Sequence, residues 1–293
     1  MTDAGAFGGD PEVKAALLAR IDRHLVAGTM TYGETAWTGD SGSALGISIE
    51  DTDPAAYAAA FGYPLPLAAL LDPLIRDLSD GGDVATFVQA WVSTVTPGAD
   101  LSKVPTRLML YMLDDPRLRG IDDALADRLV ELHHRDLDGI PAGRGEWSAV
   151  RQGILAAKQD GDDRDIAFAI WLLEVAAWPA GRGRSSLVDA FGAWRQLQAV
   201  FDDPEWSRED ERRKEAKMKA LWYAHAPGPD RGEVDLAALF EAFDPELSRR
   251  SIRNLHRANN YVRGAASLLA DRCIALFREA GAAAPADCSR SAG

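Results

Sequence analysis

Residues 166–178 read IAFAIWLLEVAAW, and twelve of the thirteen are apolar. The run outlasts the about 4–8 residues of a buried strand and holds no Gly or Pro, so it reads as a helix. Apolar side chains fall on every face of that helix, which predicts a central position in a bundle. Glu174 is the exception. On a helix it is surrounded by Ile170, Trp171, Ala177 and Trp178 at i±3 and i±4. A lone buried carboxylate is costly and must be paired, hydrogen-bonded or protonated. Arginine is the best partner because its planar fork fits a carboxylate. Arg151, Arg182 and Arg195 lie on neighbouring predicted elements. Glu174 is therefore either an architectural ion pair or a pocket carboxylate, a base or a ligand contact.

The rest of the chain carries the same signature. Asp-Pro occurs at 10–11, 53–54, 72–73, 115–116, 203–204 and 244–245. An Asp N-cap followed by Pro at the first helical position suits a helix start. Asp72–Pro73 also reads as a kink or a break between short helices. Helices are predicted near 11–27, 54–61, 65–79, 83–95, 104–114, 121–137, 146–159, 164–178, 185–202, 204–225, 235–243 and 245–280. Period-2 alternation is nearly absent. The fold class is all-α, a multi-helix bundle or an irregular α-solenoid of helical hairpins with about ten to twelve helices.

The exception is 28–53, GTMTYGETAWTGDSGSALGISIEDTD, a long segment of Gly, Ser and Thr. Its expected form is a surface loop with a short strand at ALGISIE. Its alternative is a functional loop in which Tyr32 and Trp37 supply an aromatic wall. PAGRG occurs at 141–145 and again at 179–183, ahead of a predicted helical hairpin each time; chance recurrence competes with a true duplication. The chain is expected to form one helical domain over 1–293. Its subdivisions are an N-terminal part to 140, a hairpin part over 141–280 and a disordered tail at 281–293.

Charge narrows the function classes. The net charge is −13, which disfavours a general nucleic-acid or membrane-surface binder. Two cysteines, Cys273 and Cys288, make neither a disulfide framework nor a zinc site. The opening MTDAGAFGGDPEV lacks a basic and then apolar leader, and no run reaches the roughly 20 residues of a membrane span. A cytoplasmic protein without cofactor or metal is expected, with a protein as its partner.

Several short motifs resemble functional ones but have simpler readings. Gly39-Asp40-Ser41-Gly42-Ser43 resembles the nucleophile loop of trypsin-like proteases. That family needs a β fold with its His and Asp upstream of the Ser, so the match is loop composition. Glu131 and His134 share a helical face, but di-metal bundles need a second Glu-x-x-His, which this chain lacks. Asp160, Asp162, Asp163 and Asp165 could bind Ca²⁺ or Mg²⁺, yet lack the EF-hand pattern and serve as well as helix-start acids. LDDPRLRGIDD at 113–123 reads as two helix ends around a turn. REDERRKEAKMK at 208–219 reads as a solvated face with i, i+4 pairs Glu209–Arg213, Asp210–Lys214 and Glu215–Lys219.

The stretch 249–264, RRSIRNLHRANNYVRG, is basic in an acidic protein. Arg249, Arg253, His256, Asn260 and Arg263 fall on one helical face, with Arg257 beside them. They are candidates to meet an acidic partner, or phosphates as the least favoured case; pairing with the protein's own acids is the alternative. The same helix carries a heptad seam, Ile252, Asn259, Ala266 and Cys273 with Leu255, Val262, Leu269 and Leu276. Such a seam packs inside its own bundle or forms a homodimer through 252–276, where Asn259 would fix register.

ALGISIEDTDPAAYAAAFGYPLPLAALLDPLI at 44–75, FVQAWVSTVTPGADLSKVPTRLMLYMLDDP at 87–116, EWSAV and EVAAW together resemble a group of Ala/Trp-rich helical proteins of bacteria and their phages. PGADLSKV at 97–104, followed by an apolar helix and DDP, is the most specific piece. The resemblance spans 44–180 and lacks that group's long Ala-Ala-Trp repeats. It implies a helical fold and a mobile-element or host–phage setting, and it carries no catalytic residue. The favoured function is a non-enzymatic interaction protein of inhibitor, immunity or regulatory type. The alternative is an enzyme or small-molecule binder with an inter-helix pocket around Glu174 or the 28–53 loop.

Overall fold

A computed structural model describes residues 5–78, 81–157, 164–181, 185–225 and 234–283. The protein is all-α: the described residues form thirteen α-helices and no strand. By their contacts they make two compact units. The larger, to Leu197, holds α1 (Pro11–Ala27), α2 (Ala44–Ile49), α3 (Pro54–Phe61), α4 (Leu65–Asp77), α5 (Gly81–Ser93), α6 (Val104–Leu113), α7 (Asp123–Leu137), α8 (Arg144–Ala156), α9 (Arg164–Ala176) and α10 (Ser186–Gln198). The smaller, 198–262, holds α11 (Arg208–His225) and α12 (Leu236–Phe243). The long α13 (Pro245–Ala282) gives its residues to 262 to the smaller unit and the rest to the larger. Helices on both sides of residue 140 contribute to one apolar core, and at its edge Arg128 and Arg135 of α7 both pair with Glu146 of α8, at 2.8 and 2.7 Å.

The Asp-Pro signals act largely as chemistry predicts. Asp10 accepts the Glu12 N–H at 2.7 Å, Asp53 that of Ala55 at 3.0 Å and Asp244 that of Leu247 at 3.1 Å. Asp115 does the same for a short 3₁₀ turn at Pro116–Leu118. Asp203 caps only a turn, and α11 starts later, at Arg208. Asp72 caps nothing on its own helix, because α4 runs through Pro73 unbroken.

Asp72 instead reaches the 28–53 segment. It is 2% exposed, and its carboxylate accepts the Ser43 hydroxyl at 2.7 Å and the Leu45 N–H at 3.1 Å. ALGISIE is therefore not a strand: it is α2, capped by Ser43, whose oxygen accepts the Gly46 N–H. A four-residue hydrogen-bonded opening outweighs the β-branched composition here. A Cβ at Gly46 would lie 2.0 Å from the Ala36 carbonyl oxygen, so the close approach requires glycine. Backbone bonds from Thr31 to Gly42 and from Ser43 to Ala36 stitch the segment, and 42–48 are buried.

The larger core centres on Tyr63, whose ring meets Phe7, Tyr57, Trp91 and Phe277 at 5.5–5.9 Å between centroids. Its hydroxyl donates to the Trp91 carbonyl at 2.8 Å. Phe277 brings the end of α13 into this core. Ala266, Leu269, Cys273 and Leu276 are wholly buried there, so this half of the heptad seam packs inside its own bundle, the first of its two expected uses. Ile252 and Leu255 remain exposed, at 46% and 57%.

In the smaller unit Leu221, Phe240 and Leu247 form a short apolar cluster with Trp206 against it. Ion pairs do much of the remaining fastening. Arg257 binds both Asp203 and Glu205, Arg253 reaches Glu205 at 3.2 Å, and Arg250 meets Asp210 and the Glu205 carbonyl. The predicted i, i+4 pairs of α11 give way to i, i+3 pairs, Glu209–Arg212 and Glu211–Lys214, while Arg213 and Lys217 reach Asp244. Arg257→Ala would leave Asp203, whose side chain is 1% exposed, with the Asn254 amide and the Glu205 N–H but without its countercharge. Amide exchange across 198–262 should then quicken by about tenfold or more, with Arg257→Lys only a partial rescue because an ammonium cannot fork to two acids. Unchanged exchange would show the clamp to be decorative.

Candidate functional site

α9 ends at Ala176, with the Ala177 N–H bonded back to Leu173 and Glu174, and Pro179 prevents its continuation. α10 begins at Ser186 with Asp189 in its first turn, where the helix dipole favours an acid; the Asp189 N–H bonds to the Ser185 carbonyl at 2.7 Å. Between these two ends lies a cleft of about 360 Å³ lined by Glu174, Val175, Trp178, Pro179, Ser185, Ser186 and Asp189.

α9 is not the all-round buried helix that its composition predicts. Ile170, Leu172, Leu173 and Ala176 are buried, but Trp171 and Trp178 are 39% and 48% exposed and the Glu174 side chain is 29% exposed. Indole explains the difference: a large amphipathic ring suits a boundary, so tryptophan counts as apolar in a pattern without being enclosed in the fold. Glu174 meets both expected fates at once. Arg151 Nη2 lies 3.6 Å from its Oε1, an ion pair too long for a hydrogen bond. The Arg151 guanidinium carbon sits 4.9 Å from the Trp178 ring centroid, and its Nε is buried with no hydrogen-bond partner. Charge and ring thus hold this arginine loosely at the cleft, without a bidentate fork. Of the other expected partners, Arg195 is taken by Asp77 at 2.9 Å, and Arg182 lies outside the described residues.

His133 ties α7 to the end of α9. Its Nε2 donates to the Ala176 carbonyl at 2.9 Å and its ring meets Trp147 edge-on at 4.9 Å. Nδ1 is buried without a partner. Burial pushes the imidazole down to about 4, against the opposing pull of the Ala176 hydrogen bond. The second half of PAGRG at 179–183 and the acids Asp160, Asp162 and Asp163 fall outside the described residues.

The remaining sequence candidates are dispersed. Tyr32 is 53% exposed and Trp37 packs edge-on to His24 at 5.9 Å; neither lines the cleft. Arg253 and Arg257 are engaged with Asp203 and Glu205, and the Arg249 Nε donates to the Pro245 carbonyl in its own helix. His256, Asn260 and Arg263 are exposed. Their surface is therefore less cationic than the sequence implies, because the acids that pair with it stand about 50 residues away in the chain, where no periodicity argument connects them. Glu131 pairs with Arg128 at 2.6 Å and His134 is exposed. Among the described residues no group of three or more His, Cys, Asp or Glu side chains is placed to hold a metal, and no single helix is long and apolar enough to cross a membrane.

No protein-family model matches the chain, and neither a curated protein nor a solved structure matches it significantly.

Proposed function

We propose that the protein is a non-enzymatic interaction protein that holds a cationic group of its partner in the Trp178 cleft. The observation that carries this is the pairing of a half-exposed indole with two carboxylates, Glu174 and Asp189, around one concavity. Aromatic walls with a few placed charges are the usual make-up of a ligand site, and an indole face attracts cations. Among the described residues Asp189 forms no ion pair, and Glu174 has only its long contact with Arg151. A net charge of −13 adds long-range attraction for a basic partner. Such a role suits an inhibitor, immunity-type or regulatory protein, and it is compatible with the mobile-element or host–phage setting implied by the resemblance over 44–180.

The test is selection from a random short-peptide library at low ionic strength. Enrichment of basic peptides that disappears in a Trp178→Ala/Asp189→Asn double variant is the expected result. Hits without charge preference, or hits that survive in the double variant, would remove the cleft from the function.

A further inference from the structure

We infer that the cation this cleft selects is a guanidinium, the side chain of an arginine on a protein partner. The inference rests on the cleft reading above and narrows it to one chemistry. The molecule already displays the mode: Arg151 lies over the Trp178 ring at 4.9 Å with its Nη2 3.6 Å from Glu174. One face of the indole is thus covered by a guanidinium, and 48% of Trp178 stays open. A second planar cation can stack on the open side, so that the indole is held between two guanidiniums, each beside its own carboxylate: Glu174 for Arg151 and Asp189 for the ligand.

Two properties favour guanidinium over ammonium. It is weakly hydrated and stacks flat, so it sheds less water on entering a cleft that remains half open, whereas ammonium is a strongly hydrated point charge. It also offers Asp189 a fork of parallel donors, which a lysine cannot. The volume of about 360 Å³ lies at the lower end of the roughly 300–1,000 Å³ of ligand pockets, room for one long side chain rather than a helix.

Arg151 gains a role in the same picture. Its positive charge offsets Glu174 and so weakens the field that a ligand meets. Removing that charge while keeping a polar side chain should tighten binding, an effect that a purely architectural arginine would not give.

The experiment is calorimetric titration of the full chain at low salt with acetyl-Gly-Arg-Gly-amide and with its citrulline and lysine counterparts. The arginine peptide should bind about tenfold tighter than the neutral isostere citrulline, and several-fold tighter than lysine. Trp178→Leu and Asp189→Asn should each weaken it by about tenfold, Arg151→Gln should tighten it, and circular dichroism should show all three variants folded. Equal binding of arginine and citrulline peptides overturns the inference, as does weakening by Arg151→Gln. Lysine binding tighter than arginine overturns the guanidinium choice and leaves the cation cleft standing. If no cationic peptide binds at millimolar concentration, both fall.

Discussion

Asp72→Ala is expected to destabilise the larger unit by about 3 kcal/mol, because it removes two buried hydrogen bonds to a carboxylate and strands their donors. For a unit of this size that corresponds to a fall in Tm of about 6–12 °C. The donors lost are the Ser43 hydroxyl and the Leu45 N–H, which together anchor α2 and the end of the 28–53 segment. Asp72→Asn should recover little. The Ser43 oxygen already accepts the N–H groups of Ala36, at 3.2 Å, and Gly46, at 3.1 Å, so both its lone pairs are used and an amide N–H of asparagine would meet no free acceptor. Hydrogen exchange adds the local readout: amides over 28–49 should lose protection ahead of the rest of the unit. A neutral Asp72→Asn would show that shape, not the carboxylate, holds the segment. Burial raises the Asp72 carboxyl against the pull of its hydrogen bonds. Its contribution is therefore greatest below the usual carboxylate range and declines as pH rises through the raised value.

Asp72 also shows where a sequence stops being informative. The same dipeptide, Asp-Pro, marks helix starts at 10–11, 53–54 and 244–245, because cap and first turn are adjacent in the chain and the chemistry is local. At 72–73 it sits inside an apolar run, LLDPLI, and the carboxylate caps a different helix 27 residues away. Nothing local distinguishes the two uses. The all-α class and nearly every helix rest on such local signals and were legible. Glu174 was legible as an anomaly, and Arg151 as its partner, but the cleft was not: it depends on Asp189 and Ser185 at the start of the next helix and on Trp178 standing half in water. The heptad seam of α13 is one continuous pattern in sequence, yet Ala266 to Leu276 are buried while Ile252 and Leu255 are exposed. Periodicity defines a face; what covers that face is decided by tertiary packing.

His133 is expected to give the larger unit a distinctive loss of stability between pH 6.5 and about 4. The imidazole sits on the apolar stripe of α7 with Ala126, Leu129 and Leu132, fully buried and neutral. Its ordinary value is 6.5 and burial takes it down to about 4, with Asp136 pulling up and His134 down as the charged groups acting on it. A depressed histidine binds its proton more readily in the unfolded chain. The stability it confers is complete above pH 6.5 and is lost as pH falls toward 4. That interval, at about 1.36 kcal/mol per pH unit, amounts to a loss on the order of 3 kcal/mol. The ion-paired carboxylate of Glu146 loses its contribution at lower pH. Glu146, held down to about 2 chiefly by its hydrogen bond from Arg135, confers stability above the usual glutamate range and loses it only as pH falls from there toward 2. Urea unfolding of wild type and His133→Gln across pH 7.5 to 4 separates the two. Glutamine keeps an N–H for the Ala176 carbonyl but cannot titrate, so the wild type should start the more stable and the two should converge as pH falls. Parallel curves would clear His133 of the effect. Protonation keeps the Nε2–H bond to Ala176 but places a charge in an apolar site that only local opening can hydrate; because Ala176 lies two residues before Trp178, such opening should also loosen the cleft. Binding of the arginine peptide should therefore weaken with acidification in the wild type more steeply than in His133→Gln.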